Sequence, residues 1–159
     1  MISVFLLLGS NLGNRQAYLQ EAIEHIAIDI APVVKLSSIY ETQSWGKTDE
    51  PDYLNQVILL KTELSPQEIL KAILNIEKVM GRRREEKWGS RIIDIDILFY
   101  ESVIISEPGL TIPHPELHKR RFTLAPLSEI APDFVHPVLK KNVLQLKTEL
   151  KDNLIVKKL

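Results

Sequence analysis

The order in which the chain switches between two hydrophobic periods restricts its fold more than any other feature. Apolar runs suited to strands and stretches with helical spacing succeed one another as β-α-β-β-α-β. "ISVFLLLG" reads as a buried strand that stops at Gly9, and "SNLGN" turns the chain. Asn14 can cap a helix from Arg15 to about Asp29, in which Leu19, Ala22, Ile23 and Ile26 recur at helical spacing. A strand near Val33 to Glu41, the loop "SWGKTDEP" and the strand "YLNQVILLKTE" follow. "SPQEILKAILNIEKVM" is a well-signalled helix. Ser65 is its N-cap, Pro66 takes the first helical position, Glu68 completes a capping box and Gly81 ends it. "IIDIDILFY" is the fourth strand, continued by a hairpin through "ESVIIS". Beyond Pro113 come short helical pieces and a weak helix near Val143 to Glu149. This order predicts an α+β sandwich of the ferredoxin-like βαββαβ kind. Its antiparallel sheet has helices packed on one face and the fourth strand internal, with a C-terminal hairpin and short helices added.

Composition narrows the function classes. The 159 residues suit a single domain, 1–159, large enough to bury a substantial core. With 20 Lys+Arg against 21 Asp+Glu, no global field draws the chain to nucleic acid or an anionic membrane. The absence of cysteine excludes disulfides, thiol nucleophiles and thiolate-bound metals. The run Ile2 to Leu8 is too short to span a bilayer and lacks a basic flank and cleavage site, so a cytoplasmic location is the default expectation.

Two aspartates interrupt the apolar fourth strand. Side chains alternate along a strand, so Asp94 and Asp96 share one face while Ile93, Ile95 and Ile97 share the other. A solvated strand face is one explanation. A magnesium site is the sharper one, because hard cations take carboxylate oxygens and complete their shell with water and phosphate. Just before the strand, "GRRREEKWGSR" crowds Arg82, Arg83, Arg84, Lys87 and Arg91 into ten residues. Arginine suits bidentate phosphate recognition, and Trp88 offers a flat face that can close over a substrate. "GSNLGN" has neither of the common glycine-rich nucleotide patterns, so arginines and metal would have to hold any phosphates. His114 and His118 are four apart, but Pro115 interrupts a helical face, and a zinc pair is disfavoured. His114 near Arg120 and Arg121 suits a phosphate contact instead.

With these residues in view, the chain resembles the 6-hydroxymethyl-7,8-dihydropterin pyrophosphokinase family of the folate pathway. The resemblance runs nearly end to end through "GSNLGNR", "YETQSWG" with "PDYLNQV", "GRRREEKWGSRIIDIDIL" and "TIPHPELHKRRFTLAPLSEIAP". It implies transfer of pyrophosphate from ATP to the pterin's hydroxymethyl group. Asp94 and Asp96 would bind two Mg2+ ions, and Arg82, Arg84 and Arg91 would complete the catalytic set on a mobile loop that closes with Trp88. ATP contacts would come from Glu77, Arg84, Trp88, Arg91, Ile97, Thr111, His114 and Arg120. The pterin would lie between Tyr53 and Phe122, with Asn55 and the segment around Thr42, Gln43 and Trp45 reading its polar edge beside Trp88 and Asp94. The chain departs from the family's pattern at Leu74 and Gly109, on the ATP side. The resemblance implies a monomer acting on ATP and 6-hydroxymethyl-7,8-dihydropterin, without nucleic acid or membrane. An RNA-binding module and a metal-dependent phosphohydrolase are the rival readings. The neutral net charge opposes the first, and the second lacks an evident water-activating base.

Overall fold

The computed structural model describes residues 1–43, 52–81, 92–152 and 154–159. Strands β1 (Ile2–Ser10), β2 (Val33–Leu36), β3 (Tyr40–Thr42), β4 (Tyr53–Thr62), β5 (Asp94–Tyr100) and β8 (Val156–Lys158) form one antiparallel sheet. Its order is β5-β1-β4-β3-β8, with β2 also beside β4. Strands β6 (Ile105–Glu107) and β7 (Leu110–Ile112) make a separate hairpin. Helices α1 (Arg15–Asp29) and α2 (Pro66–Val79) cross one face. A turn at Leu117–Lys119 and helices α3 (Arg121–Ile130) and α4 (Val143–Thr148) cover the other. The ferredoxin-like order is thus present, but helices lie on both faces rather than one.

The second layer has a cause in β1. Val4, Leu6 and Leu8 face α1 and α2, while Phe5 and Leu7 face away and are equally buried. A strand apolar on both sides needs cover on both sides. Strand β5 behaves similarly, with a twist. Phe5 pairs with Phe99 and Leu6 with Ile97, so Leu98 is an extra residue in β5. This bulge turns Leu98 and Phe99 together toward α3 and α4, leaving Ile97 and Tyr100 on the α1/α2 side.

Two expectations need correction. The run from Val33 to Glu41 is split, because Ser37 takes over the pairing with Val57. The Ser37 amide donates to the Val57 carbonyl, and its hydroxyl accepts from the Val57 amide, both at 2.9 Å. The aspartate strand β5 is an edge strand, not an internal one. β4 and β5 flank β1 on opposite sides, and no further strand pairs with β5 among the described residues. Its outer backbone groups are therefore available to something other than a strand.

Candidate active site

The register of the sheet assembles the site. Gly9 of β1 lies opposite Asp94 of β5 on one side and Asn55 of β4 on the other, and Asn55 lies opposite Tyr40 of β3. Directly paired residues share a face, so Asp94, Gly9, Asn55 and Tyr40 form one row across four strands. Asp96 stands one step along, paired with Leu7, and Tyr53 stands on the other side, paired with Thr42. All point to the α3/α4 face. At this end of the sheet α3 begins, and Phe122 in its first turn packs against that face's core.

Gly9 is small for reasons of space. A Cβ there would come 2.8 Å from Asn55 Nδ2 and 3.7 Å from Tyr53 Cδ1. Asn55 is itself 5% exposed and donates from Nδ2 to the Leu8 carbonyl at 3.3 Å. The missing side chain leaves a shallow floor between a carboxylate and an amide. Thr42 Oγ1 is buried without a hydrogen-bond partner among the described residues, which is costly unless something else supplies one.

Beside the row sits a cationic rim. The Arg120 guanidinium lies over the Phe122 ring, 5.3 Å from its centroid, within the range of a cation–π contact. The His114 amide donates to the Leu98 carbonyl at 3.0 Å, which fixes His114 against β5. Burial, helped by the Arg120 charge, holds the His114 ring below the ordinary imidazole range, against the opposing pull of Glu116 and Asp94. Its Nδ1 accepts from the Glu116 amide at 3.1 Å, so the remaining proton belongs on Nε2. A neutral ring with one remaining N–H is a donor suited to a phosphate oxygen.

Along the free edge of β5, a cavity of about 300 Å³ opens between α2 and the β6–β7 hairpin. Leu70, Ile73, Asp96, Ile97, Thr111 and His114 are among its walls. It brings together three residues expected to touch ATP (Ile97, Thr111 and His114) and one of the two aspartates. Glu77 is placed differently. It is 3% exposed, and its Oε2 accepts from the Ile95 amide at 2.8 Å. Gln43 is exposed, with its amide 3.4 Å from the Ile155 carbonyl. Trp45, Arg82, Arg84, Trp88 and Arg91 lie outside the described residues.

Neither Gly9 nor Arg15 stood out in the sequence as a site residue, and Glu77, expected at ATP, bonds the backbone of β5 instead. The Arg15 guanidinium donates to Glu41 Oε2 at 2.9 Å and to the Asp52 carbonyl, tying β3 to the start of β4. Glu77 carried a usable signal, since it falls on the buried stripe Ile69, Ile73, Ile76 of α2.

A family model for 7,8-dihydro-6-hydroxymethylpterin-pyrophosphokinase matches residues 5–132. The chain belongs to this pyrophosphokinase family. It is 43% identical over 149 residues to 2-amino-4-hydroxy-6-hydroxymethyldihydropteridine pyrophosphokinase of Aquifex aeolicus, covering 94% of this chain and 92% of that one. The enzyme of the same name from Bacillus subtilis is 42% identical over 130 residues, 79% of this chain and 76% of that one. Among solved structures, wild-type HPPK-DHPS of Plasmodium falciparum with SDX-DHP superposes with a TM-score of 0.71 at 17% identity. That match covers 94% of this chain and 43% of the other, and it supports the fold. The pyrophosphokinase family match spans Gly9, Asn55, both aspartates and Phe122, the residues that the sheet register gathers.

Proposed function

We propose that this protein transfers the pyrophosphoryl group of ATP to the hydroxymethyl oxygen of 7,8-dihydro-6-hydroxymethylpterin, a step of folate biosynthesis. The hydroxymethyl oxygen bonds to the β-phosphorus. The bond from that phosphorus to the oxygen bridging toward the α-phosphate breaks, AMP keeps that oxygen, and the hydroxyl proton is given up. The observation that carries this reading is the row Asp94, Gly9, Asn55. A carboxylate suited to a triphosphate's counter-ion and an amide suited to a heterocycle's polar edge lie there on one face of one sheet.

Asp94 and Asp96 fit magnesium chemically, being hard oxygen donors two residues apart on one face of an edge strand. Two Mg2+ ions held there would neutralise the triphosphate's charge. His114 Nε2–H and Arg120 would donate to phosphate oxygens, with the adenosine end in the cavity along β5. Tyr53 and Phe122 would cover the two pterin faces, Asn55 and the Thr42 hydroxyl would meet its polar edge, and Gly9 would pass beneath it. Arg82, Arg84 and Arg91, with Trp88, would close over the reactants and neutralise charge as the transition state forms. Catalysis then rests on alignment and electrostatics, without a covalent nucleophile. The assigned residues all come from one chain, which suits a monomer acting as a single domain, and ATP as co-substrate suits a cytoplasmic setting. A phosphohydrolase reading is disfavoured, because the one imidazole near the aspartates has its lone pair committed to the Glu116 amide.

Purified protein with ATP, magnesium and the hydroxymethylpterin should yield AMP and pterin diphosphate in equal amounts. Asp94→Asn should lower the rate by about a hundredfold or more while far-UV circular dichroism is unchanged. Release of inorganic phosphate or pyrophosphate to water, with no phosphorylated pterin, would overturn the assignment.

A further inference from the structure

We propose that Glu77 is a positioning residue: from behind the strand it holds the backbone between Asp94 and Asp96, so that the two carboxylates point together at one metal-bound triphosphate. The inference rests on the reading that these aspartates hold magnesium. Its physical basis begins with the placement of β5 at the edge of the sheet. Among the described residues no strand pairs with the outer side of β5, and a segment in a sheet on one side only can shift or twist unless something else anchors it. The bulge at Leu98 already breaks the regular ladder with β1 a few residues further on. The Ile95 amide, midway between the aspartates, is held instead by Glu77 Oε2 at 2.8 Å.

The choice of side chain is informative. Residue 77 lies on the buried stripe of α2, one residue from Ile76 and four from Ile73, where an aliphatic side chain would ordinarily pack. A carboxylate there loses its hydration and needs compensation, and an amide hydrogen bond to a charged acceptor is among the stronger kinds. α2 is itself fixed at its start by its capping box and along its length by Ile69, Ile73 and Ile76, all buried. Glu77 therefore transmits a rigid reference to the strand. At 3% exposure it presents almost no surface to ATP, so its effect reaches the substrate through Ile95.

Two conservative variants separate this role from a charge or ligand role. Glu77→Gln keeps the reach and an oxygen acceptor but loses the charge. Glu77→Asp keeps the charge but is one methylene too short for the Ile95 amide. Positioning predicts that Glu77→Gln keeps the Ile95 amide protected in hydrogen exchange of the ligand-free protein, and keeps the half-saturating Mg2+ concentration within about twofold. It predicts that in Glu77→Asp the Ile95 amide exchanges about tenfold or more faster, and that half-saturation needs about tenfold more Mg2+, with kcat recovering at high Mg2+. The reverse ranking, with Glu77→Asp near native and Glu77→Gln impaired, would overturn the proposal in favour of charge. Loss of Ile95 protection with no change in Mg2+ demand would also overturn it. Asp94→Asn serves as the separate control. If it leaves Mg2+ demand unchanged, the metal reading fails, whatever the exchange of Ile95 shows.

Discussion

Gly9→Ala is the substitution that bears most directly on the floor of the site. The glycine has no unusual backbone angle to protect, so the consequence is one of volume alone. The new Cβ would lie 2.8 Å from Asn55 Nδ2, which must move. Asn55 is buried on β4, and its amide holds the Leu8 carbonyl, so moving it sacrifices a hydrogen bond worth about 1 kcal/mol. Overpacking of this kind costs about 1–3 kcal/mol in all. For a domain of this size that is a fall in Tm of roughly 3–10 °C. The methyl would also occupy the space between Asp94 and Asn55 where a flat ligand would rest. Loss of the Asn55 contact with that steric cost, about 2–3 kcal/mol, corresponds to roughly 30- to 150-fold weaker pterin binding. ATP, whose proposed place is the cavity along β5, should be affected less than about twofold. Calorimetric titration of each ligand separates the two effects. A double-mutant cycle with Asn55→Ala adds a second check, because once Nδ2 is removed the alanine at position 9 has nothing to displace. Native pterin affinity in Gly9→Ala, or strictly additive losses in the cycle, would mean that the pterin does not rest over Gly9 beside Asn55.

Removing either Tyr53 or Phe122 by alanine should weaken pterin binding much more than ATP binding, because a neutral ring stacks without charge. Equal losses in calorimetry would count against stacking. His136 offers a pH test remote from the chemistry. It is buried, its Nδ1 accepts from the Val138 and Leu139 amides at 3.1 Å, and burial together with His118 holds its ring below the usual imidazole range. The unfolded chain then binds the proton more readily. The stabilisation is fully present above about pH 6.5 and is lost as pH falls through the depressed folded value. His136→Gln should therefore be less stable at pH 7 yet lose less further stability between pH 7 and 5 in urea melts. An unchanged slope would discount His136 as a contributor.

What could be read from the sequence was local. The capping box of α2 forms as expected, with Ser65 Oγ accepting from the Glu68 amide at 3.1 Å and Glu68 Oε1 accepting from the Ser65 amide at 2.9 Å. The shared face of Asp94 and Asp96 follows from the two-residue period of any strand. What could not be read depends on register and on which strands pair. Nothing local says that residue 9 will face residues 55 and 94, or that β5 will end at the sheet's edge. Ser37 broke an apparently continuous strand because its hydroxyl substitutes for a backbone partner, a competition invisible to hydrophobic period. Helix α3 reads as fragments because Pro126 sits inside it, giving up the amide that would bond the Phe122 carbonyl. Burial of Leu124 and Leu127 against the sheet outweighs that loss. Strand β8 has only three residues and forms because β3 offers it an edge.

If Asp94 and Asp96 hold a metal-bound triphosphate beside a pterin resting over Gly9, a crystal structure with magnesium, an unreactive ATP analogue and hydroxymethyldihydropterin will show it. Metal density should lie about 2.0–2.1 Å from carboxylate oxygens of both aspartates, with the pterin ring between Tyr53 and Phe122 and its hydroxymethyl group directed at the β-phosphate. Magnesium bound to the triphosphate alone, with both carboxylates turned away and the pterin elsewhere, would contradict it.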